Sequence, residues 1–254
     1  MSGRGAATGV RHLLRVDWSP RGEVDLEAWP FTVPAVAQLV REGGMDVAPG
    51  VTLLAGENGS GKSTLVEALA AVYPRSGARS NYAHLTGPDA SEEDSPLRRH
   101  LVARTVPLAA RAGFFLRAEV MHEFLATVDA NPAESKAWGG AELRARSHGE
   151  AFLTVLRHRF DEVGVYFLDE PEAPLSFQST LSLLLLLDML RREGSQVVVA
   201  THSPMLAALP GATLIEVGEW GMRRVGYDEL ELARSWRDFM ASPDRYLHYL
   251  LADA

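Results

Sequence analysis

The stretch Gly56-Glu57-Asn58-Gly59-Ser60-Gly61-Lys62-Ser63-Thr64 constrains this chain more than any other, because it satisfies the pattern GxxxxGK[ST] at every defined position. It follows the apolar run Val51-Thr52-Leu53-Leu54-Ala55, which reads as a buried strand. It leads into residues 65–72, LVEALAAV, which read as a helix. A strand, a glycine loop and a helix in that order form the setting such a loop needs. The glycines let the backbone curl with its N–H groups pointing inward, beside the positive end of the helix dipole, and a concave anion site results. Lys62 adds a cation for β- and γ-phosphates, and Ser63 an oxygen ligand for Mg²⁺. The alternative is a glycine-rich turn capping an ordinary helix. The complete motif favours a nucleoside triphosphate.

Two further strand ends point to the same chemistry. Residues 163–168, VGVYFL, form an apolar strand that ends in Asp169-Glu170. A carboxylate at the end of a parallel strand sits at the ligand-binding edge of a sheet. Asp169 would hold Mg²⁺ there, directly or through water, and Glu170 would polarise an attacking water on the γ-phosphate side. Residues 196–200, QVVVA, form another buried strand, ending in Thr201-His202-Ser203-Pro204. His202 would hydrogen-bond the γ-phosphate and hold the water in line. A lone histidine after a strand is ordinarily structural, but here it follows the loop and the Asp-Glu pair in a fixed order.

Elsewhere the chain alternates helix and strand signals. A strand is expected at 13–18, a helix at 30–41 stopped by Gly43-Gly44, and a strand at 113–116. Helices are expected at 118–128, 150–160 and 175–192, and a loop at 131–140. Residues 74–112, with Pro74, Gly77, Gly87, Pro88 and an acidic run at 89–96, read as a solvated, partly irregular insertion. Such alternation implies an α/β fold with a mixed, mainly parallel sheet flanked by helices. All 254 residues are assigned to one domain, with 1–10 disordered and 74–148 a lobe inserted between the glycine loop and the next motif. With no cysteine, disulfides and thiolate metal sites are excluded, which fits a reducing cytoplasm. Residues 181–190 are apolar but broken by Ser182 and Asp188, too short to span a membrane. The net charge of −8 gives no support to a sequence-independent grip on nucleic acid.

These motifs resemble the ABC-type ATPases, and more closely the small soluble members commonly labelled AAA family ATPases. Gly56 to Thr64 matches their Walker A loop, 163–171 their Walker B strand with its Glu-Pro, and Thr201-His202-Ser203 their switch-histidine loop. Arg146-Ser147-His148-Gly149-Glu150 stands in the place of the family signature, LSGGQ, before a helix. The resemblance covers residues 13–209 and implies a P-loop NTPase fold whose inserted lobe carries the signature. It further implies a Mg²⁺-dependent ATPase working as a head-to-tail homodimer. Ser147, His148, Gly149 and Glu150 would then contact the ATP held by the opposite subunit, and residues 172–176 occupy the D-loop place between subunits.

The chain departs from the family at three points. His148 replaces the first glycine of the signature, and Glu150 its glutamine. No glutamine occurs between Lys62 and Ser147, so the Q-loop ligand is missing, with Arg117 nearest its place and Glu119 the alternative. Phe31 and Trp29 lie where an adenine-stacking aromatic is expected, yet both read first as core residues. The leading expectation is ATP hydrolysis driving a switch on an unidentified protein partner. The alternatives are a transporter's ATP-binding subunit, a low-turnover ATP sensor, and an ATPase of DNA repair or phage defence.

Overall fold

The computed structural model describes residues 10–74, 96–120, 148–160 and 162–252. Its strands are β1 (Leu13–Trp18), β2 (Gly44–Asp46), β3 (Val51–Ala55), β4 (Leu101–Thr105), β5 (Phe115–Arg117), β6 (Val165–Asp169), β7 (Gln196–Thr201), β8 (Thr213–Gly218) and β9 (Gly221–Arg224). The helices are α1 (Pro34–Arg41), α2 (Lys62–Val72), α3 (His148–Arg159), α4 (Phe177–Arg192), α5 (Pro204–Ala207), α6 (Glu231–Ala241) and α7 (Pro243–Ala252).

The main sheet has the order β5-β6-β7-β3-β8-β9, parallel throughout except for β9. β3, β6 and β7 are buried at every position. Parallel strands covered on both faces read as near-continuous apolar runs, and these three do. Their side chains alternate between two cores. Leu53, Leu168 and Val199 face a core shared with α3, α4, α5 and α6. Leu54, Phe167 and Val198 face one shared with α1 and α2. α4 turns Leu183, Leu186, Leu187 and Leu190 inward at helical spacing, and its first turn is capped by Ser176, whose hydroxyl accepts from the Ser179 N–H.

A smaller antiparallel sheet, β2-β1-β4, packs beside the first. Gln196 ties the two together. Its Oε1 accepts the N–H groups of His12 and Leu13, and its Nε2 donates to the carbonyls of Leu13 and Ala48. Every hydrogen-bonding group of this fully buried amide is thus used on chain crossing between the sheets.

The structure corrects several boundaries. The helix expected over 30–41 starts only at Pro34, because Pro30 to Val33 form turns. The insertion expected over 74–112 is not all irregular, since β4 pairs with β1 along its length. Of the helix expected at 118–128 only Ala118–Val120 are described, as one 3₁₀ turn; 121–147 lie outside the described residues, with the loop expected at 131–140 and most of the lobe.

Candidate functional site

Register brings the motifs to one edge. Ala55 at the end of β3 pairs with Thr201 of β7, Asp169 of β6 pairs with Ala200, and Arg117 of β5 pairs with Asp169. The glycine loop, the Asp-Glu pair and the histidine therefore leave the sheet side by side.

The loop needs its glycines for two separate reasons. At Gly56 a Cβ would stand 2.1 Å from the Val217 carbonyl, so the backbone's close approach leaves no room for a side chain. At Gly61 φ is +98°, and a Cβ would stand 2.4 Å from Val33 Cγ1. Glu57, Asn58 and Gly59 are exposed at the loop tip, and Thr64 is half-buried in the first turn of α2. Lys62 opens that helix and is almost fully buried. Its ammonium donates to the Glu57 carbonyl at 2.7 Å. Burial holds its pKa below the usual lysine range, against the opposing pull of Glu170, Asp169, Glu172 and Glu57. Ser60 Oγ is buried with no hydrogen-bond partner among the described residues.

Ser63 donates its hydroxyl to Asp169 Oδ1 at 2.8 Å. Asp169 is 5% exposed, and burial pushes its pKa up to about 6, although Ser63 and Arg117 pull the other way. Arg117 meets Glu67 at 2.6 Å and Asp169 Oδ2 at 3.6 Å. Strand register sets Arg117 level with Asp169, beside the α2 face that carries Glu67. Glu119 is exposed, near enough to add to the upward pull on Asp169.

Glu170 has φ of +48°, in the left-handed region, which a non-glycine residue occupies only when its surroundings enforce it. Its N–H donates to the Ala200 carbonyl, and its carbonyl accepts from Ala173, closing a turn. The turn brings Glu170 Oε2 to 3.3 Å from His202 Nδ1. The His202 ring remains 42% exposed, so one side is open.

Three sequence expectations fare differently. Ser147 and Arg146 lie outside the described residues. His148 opens α3, and Gly149 packs on Pro174 and Ser179, so the helix start meets the 172–176 segment of its own chain. Phe31 is a core residue, edge-on to Trp18 and His100. Trp29 is not, being 66% exposed four residues before Val33, which touches the loop at Gly61. Glu172, expected at a subunit face, is buried inside the chain. Its inward direction follows from the turn at Glu170, which composition does not reveal. Glu67 was legible in principle, lying four residues after Ser63 on the same helical face.

Residues 40–86 match the family model described as "P-loop containing region of AAA domain". Residues 150–208 match one described as "AAA domain, putative AbiEii toxin, Type IV TA system". These two segments are similar to the P-loop region and a later part of AAA domains. The two matched segments hold the loop, Asp169, Glu170 and His202. No curated protein matches the chain. Among solved structures, one described as "An inward-facing conformation of a putative metal-chelate type ABC transporter" is 14% identical, with a TM-score of 0.49 over 87% of this chain and 85% of that one. Another, cbiO1 from Clostridium perfringens, described as part of the ABC transporter complex cbiONQ, is 16% identical, with a TM-score of 0.48 over 94% of this chain and 99% of that one.

A P-loop nucleotide site ordinarily pairs the phosphates with a hard cation. Ser63 Oγ and the buried Asp169 carboxylate suit Mg²⁺, which takes one or two protein oxygens and completes its shell with phosphate and water. Among the described residues no cluster of three or more His, Cys, Asp or Glu could hold a metal. No helix among them is long and apolar enough to cross a membrane.

Proposed function

We propose that this protein hydrolyses ATP in a Mg²⁺-dependent reaction as a head-to-tail homodimer, and that closing and opening of the dimer acts as a switch on a protein partner. The observation that carries the reading is the Glu170–His202 pair at 3.3 Å, on the sheet edge that also holds the Ser63–Asp169 pair. Mg²⁺ there would neutralise charge on the phosphate oxygens. The loop N–H groups and Lys62 bind the β- and γ-phosphates. Glu170 takes the water proton, and His202 turns the open side of its ring to the γ-phosphate. Trp29, exposed four residues before Val33, stacks on adenine. Ser147 through Glu150 reach the opposite subunit's ATP. The site needs positioning and electrostatics more than covalent chemistry, and these residue types supply both. The test is phosphate release from ATP together with molecular mass in solution. Release that EDTA abolishes, and a dimer formed with ATP but not with ADP, support the reading. A monomer under both conditions refutes the dimer, and no release with any divalent metal refutes hydrolysis.

Arg117 favours a second reading, a low-turnover ATP sensor. A fixed cation 3.6 Å from Asp169 Oδ2 competes with Mg²⁺ for the carboxylate and restrains the metal-loaded state. Under this reading, removing Arg117 raises turnover; under the first, it lowers it.

A further inference from the structure

The loop that carries His202 is hung on a buried carboxylate, Glu172. Glu172 is 7% exposed. Its Oε1 accepts the Thr201 hydroxyl and, at 3.1 Å, the His202 backbone N–H. The same oxygen lies 3.7 Å from His202 Nδ1. Its Oε2 is buried without a hydrogen-bond partner among the described residues.

The rest of the loop is provided for in other ways. Thr201 Oγ accepts the Ser203 N–H at 2.9 Å, and Ser203 Oγ caps α5 by accepting the Leu206 N–H. That leaves the His202 N–H and the Thr201 hydroxyl proton, and Glu172 takes both. Glu172 also shares a turn with Glu170, closed by Ala173 N–H to Glu170 O and Leu175 N–H to Glu172 O. One rigid turn therefore presents two carboxylates to His202, one to its ring and one to its backbone. Burial holds Glu172 above the usual carboxylate range, so an acceptor oxygen matters here more than a full charge.

We propose that Glu172 is a positioning residue for hydrolysis: by holding the Thr201 hydroxyl and the His202 N–H, it fixes the ring beside Glu170. This rests on the hydrolytic reading of the site. A ring released from that anchor still lies near the nucleotide but samples the wrong angles, and misplacement of about 1 Å costs roughly 10²-fold in rate.

The test compares Glu172→Ala, Glu172→Gln and Thr201→Val by steady-state kinetics and by ¹⁵N-histidine NMR of the nucleotide-free protein, with the His202 signals assigned from His202→Ala. Glu172→Ala should lower kcat by roughly 10- to 10²-fold while KM for ATP and ADP affinity stay within about twofold. Glu172→Gln should recover most of the rate, because its amide oxygen accepts the same two hydrogens, and Thr201→Val should fall between. The His202 ring signals should move in Glu172→Ala and hold their place in Glu172→Gln. Unchanged kcat and ring signals in Glu172→Ala overturn the proposal. So does a loss shared equally by kcat, KM and thermal stability that Glu172→Gln does not rescue, since that marks a purely structural residue. If the wild type hydrolyses nothing, the hydrolytic reading falls on that result alone, and the ring signals still decide whether Glu172 sets His202.

Discussion

Asp169→Asn should stabilise the nucleotide-free, metal-free protein, and increasingly so as pH rises. Asp169 is 5% exposed, and burial lifts its pKa from 3.8 to about 6. A raised carboxylate pKa means that the folded state holds the proton more tightly than the unfolded state. Its contribution to stability is therefore full below 3.8 and is lost as pH climbs through about 6. Two pKa units at 1.36 kcal/mol each put the cost of the buried ionised carboxylate on the order of 3 kcal/mol near neutral pH. Asparagine keeps the shape and an oxygen to accept the Ser63 hydroxyl, but it gives up the attraction of Arg117, which offsets part of the gain. A gain of about 2 kcal/mol corresponds to roughly 4–8 °C in Tm for a chain of this size. Thermal denaturation in EDTA should show the variant above the wild type by that amount near pH 7.5, the gap closing towards about pH 4. Millimolar Mg²⁺ with nucleotide should lift the wild type and leave the variant where it was. A gap that stays constant over the whole range, or that favours the wild type at neutral pH, would refute the argument that Asp169 is held under electrostatic strain for a cation.

Other predictions bear on single parts of the site. Lys62→Ala should abolish ATP binding measured by calorimetry in Mg²⁺, since the loop loses the cation that offsets the triphosphate charge; unchanged affinity removes the phosphate-loop assignment. Ser147→Arg should leave ATP binding by the monomer intact and block the ATP-dependent dimer in sedimentation, whereas equal dimerisation of variant and wild type removes the signature reading. Arg117→Ala should lower turnover more than it weakens ADP binding if the protein is a hydrolase. A rise in turnover selects the sensor, and equal loss for ADP and ATP places Arg117 outside the site.

The parts of the fold legible in the sequence are those where one physical cause dominates. β3, β6 and β7 are covered on both faces, so their apolar runs stand out, and the glycines of the loop are demanded by backbone geometry alone. β4 was not legible. It alternates buried and open positions, as an edge strand does, and lies next to a polar, proline-containing stretch that masks it. Side-chain partners across strands were also hidden. That Arg117 meets Asp169 and Glu67 depends on register, which no local pattern states. Trp29 and Phe31 are neighbours in sequence with opposite fates, because the turns before α1 send one ring into the core beside Trp18 and leave the other in solvent. Glu172 is the clearest case. The resemblance set it in the segment between subunits, and the left-handed turn at Glu170 directs it under the histidine loop.

The central claim is that Glu170 activates water for hydrolysis while other groups hold the nucleotide. Glu170→Gln tests it most directly, because it keeps the shape and removes only the charge. Phosphate release by the variant should fall by roughly 10²- to 10⁴-fold, the usual cost of losing a general base. ATP affinity should be kept or improved, with one negative charge gone from beside the γ-phosphate. The variant should also accumulate as a dimer with ATP and not with ADP. Hydrolysis at the wild-type rate by Glu170→Gln would contradict the account and place the base elsewhere.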